Sequence, residues 1–199
     1  MYLVTHSLLS SWLYALKDNP WSDKDPMEDF MQVLNRQPTE TTEAMQNGID
    51  FEDLVTDILN GERAEDLESP WYEAASKVAD RCKGGILQLR ASKKIQINGY
   101  PILLYGRLDC LKAGEIIDIK FSKSYERGKY FGSTQHPTYL RLIPEAEKFS
   151  YIISNGSSVW TETYSREETQ DISPVISDFI TWLKTMGLFE TFQEKWRSK

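Results

Sequence analysis

Two acidic residues are predicted to oppose each other across a β-hairpin in the middle of the chain. The apolar-rich runs Ile102–Leu111 and Ile116–Phe121 flank a short turn, and a glycine in that turn provides the freedom that a tight reversal needs. If Ala113-Gly114 is a two-residue loop, Asp109 lies directly opposite Asp118. Because two opposed carboxylates repel each other and destabilise a hairpin, we expect a positively charged group between them.

The same register places Arg107 opposite Lys120, on the face of the two acids. The other face is apolar and is predicted to carry Leu108, Cys110, Ile117, Ile119 and Phe121. A three-residue loop without a compensating bulge would separate the acids, whereas a two- or four-residue loop keeps them on one face. A polar site on this hairpin therefore depends on the register of the turn.

A glutamate lies on an otherwise apolar stripe of a helix predicted from about Thr42 to Leu59. The stripe consists of Met45, Gly48, Ile49, Glu52, Val55 and Leu59, and we expect it to face the core. An ionised carboxylate in such a position is costly unless it is paired or binds a metal ion. Two alternatives stay open: Glu52 forms a buried salt bridge, or it lies at the edge of the apolar face.

A third polar group falls at the start of a helix predicted to begin between Thr134 and Pro137, where proline is tolerated in the first turn. Gln135 and Tyr139 are four residues apart and therefore lie on the same helix face. An amide and a hydroxyl near a helix N-terminus suit phosphate binding. A helix cap and a core tyrosine explain the segment equally well.

The order of predicted elements indicates an α/β protein whose central mixed sheet is flanked by helices. Helices, with a loop over 18–25, precede three antiparallel strands, a helix, a further strand pair and terminal helices. At 199 residues we expect one domain, 1–199. It divides into an N-terminal helical part over 1–83, a catalytic sheet core over 84–165 and C-terminal helices over 170–198.

Composition and charge favour a cytoplasmic protein that carries a local basic surface. No apolar run approaches the ~18 residues of a membrane span, and Cys82 and Cys110 are too few for a disulfide framework. The net charge is −7, yet residues 77–148 carry 14 Lys and Arg against 7 Asp and Glu. This basic central third favours phosphate binding, although a solvated charged face explains it as well.

Taken together, these motifs resemble the PD-(D/E)XK nuclease superfamily, in particular its RecB-like branch with phage-type exonucleases. The resemblance rests on four motifs in order: Gly48-Ile49-Asp50-Phe51-Glu52, Gly106-Arg107-Leu108-Asp109, Asp118-Ile119-Lys120, and Gln135 with Tyr139. The opening Thr5-His6-Ser7-Leu8-Leu9-Ser10-Ser11-Trp12 is also similar to the N-terminal helix of that branch. The resemblance covers about residues 5–165 and implies a restriction-endonuclease-like core, with three antiparallel strands and a further strand pair in its sheet.

The activity that this resemblance implies is Mg²⁺- or Mn²⁺-dependent hydrolysis of DNA phosphodiester bonds, by analogy as an exonuclease of phage, recombination or repair type. The implied catalytic residues are Glu52, Asp109, Asp118 and Lys120, and the implied metal ligands are Glu52, Asp109, Asp118 and the carbonyl of Ile119. Carboxylates are hard oxygen ligands that suit both cations. The implied substrate-binding residues are Gln135, Tyr139, Lys123, Arg127 and Lys129.

The resemblance also sets expectations for cofactors and partners. Two cysteines cannot build the four-cysteine site of some relatives, so we expect no iron–sulfur cluster. The expected partner is single- or double-stranded DNA, and the branch adds a homo-oligomer and a separate recombination or helicase protein as candidates. The aromatic residues Tyr125, Tyr130 and Phe131 are candidates for base stacking, whereas neither His6 nor His136 is needed. The alternative function is a catalytically inactive nuclease-fold scaffold that binds nucleic acid or a partner protein.

Overall fold

Six strands form one mixed sheet in the computed structural model, which describes residues 1–17, 25–62 and 69–198. The strands are β1 (Tyr2–Thr5), β2 (Ile86–Ile97), β3 (Tyr100–Lys112), β4 (Glu115–Phe121), β5 (Lys148–Ser154) and β6 (Val159–Ser165). Their order is β1-β3-β4-β5-β6, and β2 also pairs with β3. The β1–β3 and β4–β5 pairs are parallel and the others are antiparallel. The prediction of an α/β protein with a central mixed sheet is confirmed.

Helices cover both faces of this sheet. They are α1 (His6–Ala15), α2 (Pro26–Leu34), α3 (Glu43–Asn60), α4 (Tyr72–Cys82), α5 (Gln135–Leu142), α6 (Ser173–Thr185) and α7 (Phe189–Lys195). Along β5, Ile152 packs with α3 and α4, whereas its neighbours Tyr151 and Ile153 pack with the other helices. Because successive strand residues point to opposite faces, α3 and α4 form one outer layer. None of the described helices is long and apolar enough to cross a membrane.

The first strand departs from the sequence predictions. The part over 1–83 was predicted to be helical, but β1 joins the sheet parallel to β3. Four residues that lead directly into α1 carry too little periodicity to be recognised as a strand. The predicted loop over 18–25 lies, apart from Asp25, outside the described residues.

The apolar face of α3 also differs from the prediction. The buried residues of this helix are Phe51, Leu54 and Val55, while Met45 is 54% exposed and Ile49 is 47% exposed. The prediction that Met45 and Ile49 face the core is therefore wrong. The run around Phe51 is the more apolar of the two competing faces, and it packs against α4. Glu52 consequently lies at the edge of the buried face, which is the second of the two alternatives.

The turn between β3 and β4 has the predicted register. Ala113 and Gly114 have φ values of 47° and 76°, and Lys112 pairs with Glu115 across them. Positive φ at both central residues is typical of the two-residue turn that matches the twist of a hairpin. The two acids of the hairpin are thereby directed to the same part of the sheet.

Candidate active site

The candidate site lies where one edge of β3 loses its strand partners. On this edge, pairing with β1 ends at Thr5–Tyr105, and pairing with β4 begins at Cys110–Ile117. Among the described strands, none pairs with residues 106–109 along this edge. A cavity of about 340 Å³ opens at the gap. An interruption of the sheet therefore creates the space for the site.

Seven predicted site residues line this cavity, and three do not. Those that line it are Glu52, Asp109, Asp118, Ile119, Lys120, Gln135 and Tyr139. Lys123 lies 3.8 Å from Glu43 on the surface. Arg127 and Lys129 line a separate cavity in the β4–α5 connection. The residues of the four motifs thus meet in one cavity, whereas the basic residues of the β4–α5 connection lie outside it.

Asp109 is held by a main-chain hydrogen bond from the neighbouring strand. The N–H of Ile119 donates to Oδ2 of Asp109 at 2.8 Å. The prediction that Asp109 pairs directly with Asp118 is wrong, because ladder pairing stops at Cys110–Ile117. The carboxylate of Asp109 takes the place of a strand carbonyl and turns its charge toward the cavity.

The pairing of β3 is also interrupted at Asp109 on its other edge, which faces β2. The β2–β3 ladder has the same register on both sides but omits the pair Gln88–Asp109, and Gln88 has a positive φ of 51°. Nε2 of Gln88 donates to Oε1 of Glu52 at 2.7 Å. The predicted common face of Leu108 and Cys110 is wrong, because they pack in clusters on opposite faces of the sheet. Side-chain alternation is interrupted at Asp109.

Asp118 is the most buried acid of the site, at 3% exposure. Its Oδ1 accepts a 2.5 Å hydrogen bond from Nε2 of Gln135, and its Oδ2 lies 2.7 Å from Nζ of Lys120. Among the described residues, no donor other than the ammonium of Lys120 approaches Oδ2. One lone pair of this buried oxygen is therefore open to a further electropositive ligand.

The surroundings of Asp109 disfavour a negative charge on its carboxyl group. Burial raises the pKa of Asp109 well above its usual value, and the charges of Asp118 and Glu52 raise it further. The hydrogen bond from Ile119 and the charge of Lys120 act in the opposite direction. Clustered carboxylates of this kind occur at functional sites more often than at purely structural ones.

The positive charge of Lys120 offsets part of this repulsion. Burial disfavours the ammonium form, but the charge of Asp118 and a hydrogen bond to it outweigh burial and raise the pKa of Lys120. His6 also lines the cavity, although the sequence did not mark it as part of the site. Burial lowers the pKa of His6 to about 4, so its ring is a neutral polar group at neutral pH. The available signal was its place in the opening segment over 5–12, which carries part of the resemblance.

The ring of Tyr139 is seated against β3 by a glycine. A Cβ added at Gly106 would lie 2.3 Å from Cε1 of Tyr139, so a side chain at this position is incompatible with the contact. The hydroxyl of Tyr139 donates to the carbonyl of Arg107 at 2.9 Å. Tyr139 therefore satisfies one main-chain acceptor in the gap of β3 and closes the wall of the cavity.

A single carboxylate anchors the connection between β4 and α5. Glu162 on β6 is 8% exposed, and it accepts hydrogen bonds from the hydroxyls of Tyr125 and Tyr164 and from the main-chain N–H groups of Gly128 and Tyr130. Tyr130 also stacks on Tyr151. Of the three aromatic candidates for base stacking, Phe131 is the one that projects into solvent, with 78% exposure.

Glu162→Gln is expected to loosen this connection. An amide presents a donor where the carboxylate oxygen accepted two bonds, so we expect a loss of about 2–3 kcal/mol in the free energy of unfolding. Hydrogen exchange at the amides of Gly128 and Tyr130 should become faster. The matched control is Glu168→Gln, because Glu168 is exposed and accepts from Ser165. Unchanged exchange in Glu162→Gln would contradict this role.

His136 predicts a pH dependence of folding. Its ring is buried, stacks on Tyr164 at 4.2 Å and lies 3.2 Å from the hydroxyl of Tyr151. Burial lowers the pKa of His136 to about 4, so its neutral form stabilises the fold above pH 6.5, and this contribution is lost as the pH falls toward 4. Denaturation at pH 7 and at pH 4.5 should show a steeper loss for wild type than for His136→Gln, by about 1–3 kcal/mol.

The chemistry of the donor set fits a hard cation, although no group of three or more His, Cys, Asp and Glu side chains in the described residues is arranged to hold one. Each carboxylate instead contacts protein donors: Gln88 for Glu52, Ile119 for Asp109, and Gln135 with Lys120 for Asp118. Asp109 and Asp118 offer oxygen ligands on facing strands, and Oδ2 of Asp118 retains an open lone pair.

Comparison with known proteins bears on the fold. No protein-family model matches the chain, and no curated protein matches it in sequence. Among solved structures it is similar to the crystal structure of SSO0001, with a TM-score of 0.52 and 14% identity over 94% of this chain and 76% of that one. At this identity, the likeness shows a shared α/β fold alone.

Proposed function

We propose that this protein is a metal-dependent deoxyribonuclease with the restriction-endonuclease-like core of the PD-(D/E)XK superfamily, and that it acts as an exonuclease of phage, recombination or repair type. One observation carries the proposal: Asp109, Asp118 and Lys120 meet Gln135 in a single cavity at a break in the sheet. These residues belong to separate motifs whose order resembles that superfamily. Fold stability alone does not explain why these charged side chains lie together in one cavity.

The proposed cofactor is Mg²⁺ or Mn²⁺, held by Asp109 and Asp118, with Glu52 and the carbonyl of Ile119 as the further ligands that the resemblance implies. Mg²⁺ is commonly bound through one or two carboxylates together with waters and substrate phosphates. A preformed set of three acidic ligands is therefore not required. Burial and the charges of Asp118 and Glu52 raise the pKa of Asp109, and a dication would counteract both.

Hydrolysis would proceed by attack of water on phosphorus. The water oxygen forms a bond to phosphorus, the bond from phosphorus to the leaving sugar oxygen breaks, and that oxygen takes up a proton as the attacking water releases one. When bound, the cation polarises the phosphate and lowers the pKa of a coordinated water. The ammonium of Lys120, held beside Asp118, stabilises the negative charge that develops on the phosphate oxygens.

The remaining predicted residues are proposed to bind the DNA backbone. Gln135 donates to Asp118 through Nε2 and presents the rest of its amide at the N-terminus of α5. The surface residues Lys123, Arg127 and Lys129 would guide the strand toward the cavity. Contacts to phosphates carry little sequence information, so we expect cleavage with weak sequence preference.

Digestion of end-labelled linear DNA and of circular DNA tests this function. We expect wild type to degrade linear DNA in Mg²⁺ or Mn²⁺ and to be inactive in EDTA. Protection of the circle identifies an exonuclease, whereas cleavage of both identifies an endonuclease. No cleavage of single- or double-stranded DNA with either cation would contradict the proposal.

A nuclease-fold scaffold without catalysis is the second candidate. It is favoured by the hydrogen bonds that already occupy Glu52, Asp109 and Asp118. A scaffold would bind DNA or a partner protein in the same assays and leave the DNA intact with both cations.

A further inference from the structure

An exposed apolar stripe at the start of α3 has no partner among the described elements. Met45 and Ile49 are 54% and 47% exposed and lie one helical turn apart. Gly48 lies beside them, and a Cβ built on it meets no atom within 4 Å. This is the stripe whose periodicity predicted a core-facing helix. The apolar pattern therefore serves a surface rather than the core.

The stripe forms one wall of a groove that joins the candidate active site. The groove has a volume of about 510 Å³ and runs between α3 and the end of β4, where Phe121 contributes its other wall. Glu52, Ile119 and Lys120 line both this groove and the cavity of the acids. A ligand whose phosphate lies at Lys120 thus has its next chemical group at the entrance of the groove.

We propose that this groove receives the base of the nucleotide next to the scissile phosphodiester, an inference that rests on the proposed function. A base is the flat, apolar-faced group that is covalently attached beside such a phosphate. Aromatic side chains bind its faces with little dependence on sequence, and Phe121 is the aromatic residue in the groove lining. A second phosphate does not fit, because Glu40 lines the groove and the nearby Lys123 lies against Glu43. Gly48 leaves room for a ring close to the helix.

The test compares oligonucleotides with and without the base at one position. Binding of a fluorescent single-stranded oligonucleotide is measured in Ca²⁺ by anisotropy while an abasic residue is moved along the strand. The variants Met45→Ser and Ile49→Asn are neutral, so they change the apolar wall without changing the charge. Met186→Ser is the matched control, because Met186 is 53% exposed and lies at the end of α6, outside the groove.

For wild type we expect one abasic position to weaken binding by about 5- to 100-fold. Ile49→Asn and Met45→Ser should weaken binding of the intact oligonucleotide at that same scale and leave binding of the abasic one unchanged. The proposal is overturned if the two substitutions weaken binding of both oligonucleotides equally, or if they weaken neither. The second of these outcomes is expected if the groove instead receives an apolar side chain of a partner protein. If wild type cleaves DNA but its binding does not depend on the base, only the proposal for the groove is refuted. If binding depends on the base but wild type does not cleave DNA, only the proposed nuclease function is refuted.

Discussion

Replacing Asp118 by asparagine is expected to slow DNA cleavage by at least about 10³-fold while the protein stays folded. The amide retains the shape of the side chain and can still accept from Gln135. It lacks the charge that binds a dication and that faces Nζ of Lys120 at 2.7 Å. Single-turnover cleavage of end-labelled DNA in Mg²⁺ measures the loss, and the thermal midpoint monitors folding.

Asp53→Asn is the matched control for this substitution. Asp53 is an exposed acid on α3, adjacent in sequence to Glu52 but outside both cavities. We expect it to cleave DNA at the wild-type rate. Equal activity of Asp118→Asn and wild type would place the chemistry elsewhere.

Lys120→Met is the second substitution with a large expected effect. Methionine approximates the unbranched apolar stem of lysine but removes the one ammonium among the described residues that line the cavity. We expect a loss of about 10²–10³-fold in the cleavage rate at saturating DNA, because the charge that develops on the phosphate is no longer stabilised. Binding of DNA in Ca²⁺ should change much less than the rate.

Lys120→Arg and Lys83→Met separate the role of Lys120 from a general effect of charge. Arginine keeps the charge but spreads it over a planar fork, so we expect it to recover only part of the rate. Lys83 is exposed at the end of α4, and its replacement should leave cleavage unchanged. A rate for Lys120→Met within a few-fold of wild type would rule out electrostatic catalysis by this residue.

The parts of the fold that follow from local chemistry could be predicted from the sequence. The turn at Ala113-Gly114 and the start of α3 beside Thr42 depend on neighbouring residues alone. The Oγ1 of Thr42 accepts from the N–H of Met45 at 3.2 Å. The register of the hairpin follows from that turn, and it directs Asp109 and Asp118 to one region. Gln135 and Tyr139 share a helix face for the same local reason.

The remaining features depend on long-range contacts that no local pattern encodes. The gap in β3 exists because β1, from the start of the chain, pairs with only residues 102–105 of β3. His6 enters the cavity through this same pairing. Gln88 reaches Glu52 because Gln88 itself adopts a left-handed conformation inside β2. Nothing in the local sequence of this strand indicates that conformation. The burial of the Phe51 face of α3 also depends on a long-range contact, its packing against α4.

Calorimetric titration with Mn²⁺ tests most directly whether the facing acids of this hairpin form a divalent-cation site. Wild type, Asp118→Asn and Asp53→Asn are titrated under identical conditions. We predict saturable binding for wild type and for Asp53→Asn, and its loss in Asp118→Asn. Binding that is absent from wild type, or that is equal in all three proteins, would contradict the account.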